Sequence, residues 1–129
     1  MAQQQLLLIV LGIIIVGIGI VVGISLFRAK AVDSNREALI SDLYHLEYLA
    51  QEYYKRPTPF GGGGNSYVGF SLATSNTSSA NGTYSILVAG TVTDITFQGV
   101  GTEKGDDGTN PVKLQLYVSR TSNSITKLN

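Results

Sequence analysis

The chain has no cysteine, which excludes disulfides, thiolate metal sites and cysteine nucleophiles together. It has one histidine, His45, and with no second histidine a metal or catalytic role is remote; a solvated helix flank is its reading. Neither sign of charge prevails: nine basic and nine acidic residues balance, and no basic stripe gives an electrostatic case for nucleic acid. Serines are numerous, yet no Gly-x-Ser-x-Gly elbow or Ser/His/Asp arrangement is present. The glycines at 61–64 are followed by no Gly-Lys-Ser/Thr and preceded by no strand, so they are not a phosphate loop. No long-period repeat is visible. No enzyme and no cofactor is expected.

What the chain does have is an uncharged run at residues 6–27. Of its twenty-two residues, seventeen are Leu, Ile, Val or Phe; the others are Gly12, Gly17, Gly19, Gly23 and Ser25. As a helix rising about 1.5 Å per residue, it crosses a hydrocarbon layer of roughly 30 Å. Away from water only a helix or a closed barrel satisfies every backbone group, and one short segment makes no barrel. The run is longer than a secretory signal's apolar core, and no basic residue precedes it, so a retained segment is expected. Arg28, Lys30 and Arg36 follow it, and the positive-inside rule then places the remainder in the cytoplasm. A chain whose basic leader had been removed escapes that argument. Each glycine costs about 1 kcal/mol against alanine in an ordinary helix, so four are more than a lone anchor requires. Gly19 and Gly23 form a small-xxx-small pair that admits a second helix backbone, and a plain single-pass anchor stands as the equal alternative.

No Gly or Pro interrupts residues 28–54. Leu39, Leu43, Leu46, Ala50 and Tyr53 recur at spacings of 4, 3, 4 and 3, one apolar stripe on a helix whose other faces are charged. Residues 6–54 thus predict one helix of roughly 70–75 Å. Asp33-Ser34-Asn35 is its weak point, where a bend is expected. Pro57, Pro59 and the four glycines end it, and residues 57–65 read as a connector, stiff at its prolines and loose at its glycines. Strands are expected at 66–72, 84–89, 91–98, 112–119 and 124–128, with loops at 74–82 and 99–111. The alternation of Val112, Leu114, Leu116 and Val118 with polar neighbours is the strongest strand signal. The fold class is α+β. An apolar helix at 1–27, an amphipathic helix at 28–56, a linker at 57–65 and an antiparallel β domain at 66–129 packed on the helix make up the chain.

Glu103, Asp106 and Asp107 offer oxygens to calcium, but the 12-residue ligand spacing is absent and a solvated loop is the reading. Asn76-Thr77-Ser78 and Asn81-Gly82-Thr83 fit the glycosylation acceptor pattern, which makes Asn76 and Asn81 candidate sites if the domain is outside the cell. Tyr44, Tyr48, Tyr53 and Tyr54 read as packing residues.

An apolar N-terminal helix, its amphipathic continuation, a loop and a small antiparallel sheet together resemble the type IV pilin family of bacterial and archaeal filaments. The run Gln3-Gln4-Gln5-Leu6-Leu7-Leu8-Ile9-Val10 looks like a pilin start without its aromatic first residue. Gln5 stands where bacterial pilins carry a glutamate, counting from Met1, and no basic leader or Gly-Phe processing site is present. The resemblance implies a structural subunit that leaves the membrane through an assembly machinery. It polymerises by its apolar helix, with Gly12, Gly17, Gly19 and Gly23 at the packing surface, into an extracellular filament for adhesion, motility or surface contact. The other expectation is a single-pass membrane-anchored β domain or a minor pseudopilin of a secretion system.

Overall fold

A computed structural model describes residues 2–129, which are α+β: one long N-terminal helix and a five-stranded antiparallel sheet packed on it. Helix α1 runs Ala2–Lys55 without a break in its α-helical hydrogen bonding, including at Asp33-Ser34-Asn35. The strands are β1 (Ser78–Ser79), β2 (Gly82–Val88), β3 (Asp94–Lys104), β4 (Pro111–Ser119) and β5 (Asn123–Lys127). They pair in sequence order, a simple meander in which every neighbour is antiparallel. The chain divides into two compact units, Met1–Ala31 and Val32–Asn129. The boundary falls a few residues after the end of the apolar run, because Val32 is the first helix residue to pack against the core.

The second unit has one core. Asn35, Leu39, Leu43, Leu46, Ala50 and Tyr54 form the buried face of its helix. The last member of the stripe is Tyr54; Tyr53, expected there, is half-buried and donates its hydroxyl to the carbonyl of Val68 at 2.7 Å. From the sheet come Tyr84, Ile95, Phe97, Val112, Leu114, Leu116 and Val118. The register explains why these share a face: Ile95 lies opposite Val118, Phe97 opposite Leu116 and Gly99 opposite Leu114, and directly opposed residues point the same way.

Three expectations are corrected. Residues 66–72 are not a strand. Gly69 has φ +84°, the amide of Phe70 bonds the carbonyl of Tyr67 at 3.1 Å in a turn, and one backbone bond (Tyr67 to Thr91, 3.0 Å) ties the segment to the β2–β3 loop. The aromatics that suggested a strand are ring anchors: Tyr67 stacks 4.7 Å from Tyr54, and Phe70 meets Tyr53 and Phe97 edge-on at 5.4 and 5.8 Å. Residues 99–104 are not loop but the continuation of β3. Their glycines mark close approach of the helix: a Cβ on Gly99 would stand 3.3 Å from the Tyr84 ring and 3.6 Å from Leu43, and one on Gly101 would overlap Asn35 Oδ1.

The third correction concerns the glycines at 61–64, which are a built helix cap and not a loose connector. A helix ends with carbonyls that lack partners. Here the amides of Gly63, Asn65 and Gly64 return to the carbonyls of Tyr53, Tyr54 and Arg56 at 2.8, 2.7 and 3.0 Å. Gly61, Gly64 and Asn65 adopt positive φ to make the return, and a Cβ on Gly63 would overlap the carbonyl oxygen of Ser66.

Candidate functional site

The first unit is itself the candidate site, a helix with no cover. From Leu6 to Phe27 every large apolar side chain is between 49% and 76% exposed. A soluble monomer rarely leaves contiguous apolar surface of this extent open to water. This is one helix long and apolar enough to cross a membrane, so membrane association or a signal-type segment is what the helix itself supports. Gly12, Gly17, Gly19 and Gly23 have nothing within 4 Å of where a Cβ would sit. At about 100° per residue, Gly12, Gly19 and Gly23 fall on one face, and Gly17 lies well over 90° away from it. The sequence grouped all four; helical geometry groups three.

In the second unit, polar side chains of the helix hold the sheet at defined points. Asn35, 8% exposed, donates through Nδ2 to the carbonyl of Asn81 (2.9 Å) and to Thr102 Oγ1 (3.3 Å), and its Oδ1 accepts from the Glu103 amide (3.4 Å). The residue expected to bend the helix instead latches β3 and the β1–β2 turn. Two turns on, Asp42 Oδ2 accepts from Ser79 Oγ (2.9 Å), Asn81 Nδ2 (3.1 Å) and the Tyr84 hydroxyl. Partial burial alone would raise the Asp42 pKa. The hydrogen bonds from Tyr84, Asn81 and Ser79, with the field of His45, outweigh it and hold the carboxyl below its ordinary value. For Tyr84, burial and its bond to Asp42 push the phenol up to about 12. Glu47 accepts from Asn123 at the start of β5. From the sequence Asn35 reads only as part of a helix weak point, and Asp42 only as one of the charges on the solvated faces. The available signal was an Asn in phase with Leu39 and Leu43, on a face otherwise apolar.

The acidic loop is occupied by its own chain. Asp106 pairs with Arg36 (3.1 Å) and with Lys127, and these two hydrogen bonds lower its pKa. Asp107 accepts from the amides of Thr109 and Asn110 at 2.9 Å each and from Asn110 Nδ2 at 2.7 Å, which holds its carboxyl far below the usual range. Among the described residues no three His, Cys, Asp or Glu gather where they could hold a metal ion. His45 is exposed beside Asp42, and lines a shallow dip with Ser78 and Ser79.

The two glycosylation candidates part company. The Asn81 side-chain nitrogen is engaged by Asp42, and Gly82 is buried in β2. Asn76 lies in a single 3₁₀ turn, Thr74–Asn76, half-exposed beside the free surface of Ser78. Of the four helix tyrosines, Tyr53 and Tyr54 pack as expected, whereas Tyr44 and Tyr48 are 48% and 64% exposed and are not part of the core.

The chain matches no protein-family model, no curated protein and no solved structure. Its fold and its surfaces are therefore what a functional reading rests on.

Proposed function

We propose that the chain is the structural subunit of an extracellular helical filament of the type IV pilus kind. The observation that carries this is the first unit: twenty-two uncharged residues, apolar on every side, with three glycines in phase and open to a close neighbour. Lipid accommodates such a helix as single copies, and a bundle of identical helices accommodates it with little change in solvation. What the bundle adds is backbone approach at Gly12, Gly19 and Gly23, where van der Waals contact replaces disordered lipid tails. The membrane holds the subunit before assembly, an assembly machinery delivers it, and the partner in the filament is a further copy of the chain. Contacts between unlike faces of identical subunits then propagate helically instead of closing. The folded second unit supplies the outer surface, for adhesion, motility or surface contact.

The test is material sheared from the cell surface, imaged by electron microscopy, with intact mass and N-terminal residue determined on the same sample. Filaments built of this chain are expected. Recovery of the chain solely from membranes, with no filaments, would establish the anchored β domain in its place.

A further inference from the structure

Asn76-Thr77-Ser78 and Asn81-Gly82-Thr83 share one acceptor pattern, and the fold treats them oppositely. Asn81 is consumed as a joint: its amide donates to Ser79 Oγ (3.1 Å), its Nδ2 donates to Asp42 (3.1 Å), and its carbonyl accepts from Asn35 (2.9 Å). Thr83, the hydroxyl residue of that motif, lies inside the sheet with β1 on one side and β3 on the other. Asn76 has no such duties. Its backbone amide bonds the carbonyl of Ala73 at 2.8 Å, while its carboxamide makes no hydrogen bond among the described residues. Among those residues the buried side-chain atom without a partner is Arg36 Nε, so the idle Asn76 carboxamide meets solvent. Thr77 Oγ1 closes the 3₁₀ turn onto the Thr74 carbonyl (2.8 Å), so the middle residue of the motif holds the bend that presents Asn76. Ser78 is exposed in the two-residue strand β1 at the sheet edge, and its hydroxyl is likewise unbonded among the described residues. Shallow hollows toward Phe70 and Leu72 and toward His45 and Ser78 open beside Asn76, so a bulky group attached there displaces no core residue.

We propose that Asn76 is a site of N-linked glycosylation and that Asn81 is not. The inference rests on the filament reading for the second unit's place outside the cell. The donor is of the lipid-phosphate-linked oligosaccharide class. A bond forms between Asn76 Nδ2 and the anomeric carbon of the first sugar as the bond from that carbon to the phosphate oxygen breaks. The phosphate leaves with the bonding pair, the nitrogen gives up one proton to solvent, and nothing is oxidised or reduced. A transferring enzyme must engage the carboxamide and the hydroxyl two residues on together, and each must be free of other partners for that. Modifying Asn81 would first break its bond to Asp42 and loosen the β1–β2 turn from the helix. At Asn76 no side-chain bond is lost, and the sugar adds a bulky, solubilising group to an exposed face.

The test uses the full chain made in its own host and recovered both from sheared surface material and from membranes. The tryptic peptide 56–104 contains both acceptors, and fragmentation by electron transfer assigns any added mass to one residue. Sugar mass is expected on Asn76 and none on Asn81. Asn76→Gln and Ser78→Ala should each abolish it, and Ser78→Thr, which keeps the hydroxyl, should retain it. The Asn76 and Ser78 side chains make no hydrogen bond among the described residues, so these variants keep the fold, which thermal unfolding checks. Loss of the sugar in Ser78→Ala with Asn76 still present shows that the motif is read as a unit, an effect no packing role of Asn76 would give. An unmodified Asn76 overturns the proposal, as does sugar found on Asn81 or solely on Ser and Thr hydroxyls. Filaments carrying an unmodified Asn76 sink the site and leave the filament reading standing. A chain glycosylated at Asn76 but recovered solely from membranes, with no filaments, upholds the site and ends the filament reading.

Discussion

Adding one methyl group at Gly101 should break the polar joint that Asn35 makes with β3, and removing the Asn35 side chain should undo much of the damage. A Cβ there would overlap Asn35 Oδ1 and stand 3.1 Å from Leu39 Cδ1. Asn35 cannot swing aside cheaply, because it makes the three hydrogen bonds to Asn81, Thr102 and Glu103. Displacing it strands a buried amide, at about 1–3 kcal/mol. Crowding against Leu39 adds about 1–3 kcal/mol. The lower chain entropy of alanine in the unfolded state returns about 0.5–1 kcal/mol. Gly101→Ala should therefore cost about 3 kcal/mol, a large share of the roughly 5–15 kcal/mol that holds a domain of this size together. In thermal terms that lowers Tm by roughly 12–24 °C. The decisive comparison is made in an Asn35→Ala background, where the overlapping atom is gone. There only the crowding against Leu39 remains, offset by the entropy of the unfolded chain, so the added methyl should cost about 1 kcal/mol instead of about 3 and the two changes are strongly non-additive. The assay is urea and thermal unfolding of the full chain in a mild non-ionic detergent, followed by the near-ultraviolet signal of its buried tyrosines. Equal cost of Gly101→Ala in both backgrounds would refute the claim that this glycine exists to admit Asn35.

Acid should loosen the second unit through Asp42. Its pKa is lower in the folded state than in the unfolded chain, so its contribution is present above the ordinary carboxylate value of about 4 and is lost as pH falls through the lower folded value. Unfolding curves from pH 6 to pH 2 should show that loss in the parent and a flatter profile in Asp42→Asn. At the other extreme, the raised Tyr84 phenol makes stability fall as pH climbs from about 10 toward about 12, and Tyr84→Phe should abolish that component. Gly63→Ala should fray the end of α1, since its Cβ would overlap the Ser66 carbonyl and stand 2.8 Å from Tyr53 Cε1; hydrogen exchange at the amides of residues 63, 64 and 65 should rise about tenfold, the equivalent of roughly one lost hydrogen bond. A Cβ at Gly19 or Gly23 meets no neighbouring side chain within 4 Å, so replacing both by Leu should leave the folded unit and its membrane insertion intact while abolishing filaments. Unchanged filaments by electron microscopy would sink the helix-packing claim.

Much of the fold was written in local pattern. The uncharged run, the stripe from Leu39 to Ala50 and the alternation in β4 each depend on a short period, and each appears in the structure where the period placed it. Glycine and aromatic residues were misread because their meaning is not local. Gly99 and Gly101 look like loop residues until a helix lies across them, and Tyr67 and Phe70 look like a strand until their rings find Tyr54, Tyr53 and Phe97. Four glycines at 61–64 read as loose on their own; the carbonyls at the helix end are what order them.

The candidate surfaces divide the same way. That residues 6–27 form an apolar helix needing cover follows from sequence alone, since no arrangement of the remaining chain of this length adds charge to it or shortens it. Which faces of α1 are free did not follow. A tyrosine at position 44 or 48 reads as core by composition, and only the sheet's choice of the opposite face leaves both exposed. Asn35 and Asp42 likewise became joints only when folding brought Asn81, Tyr84 and Thr102 to them. Periodicity reports what a segment must hide; the partners that satisfy a buried amide or carboxylate are set by contacts dozens of residues apart, and only the tertiary structure decides those.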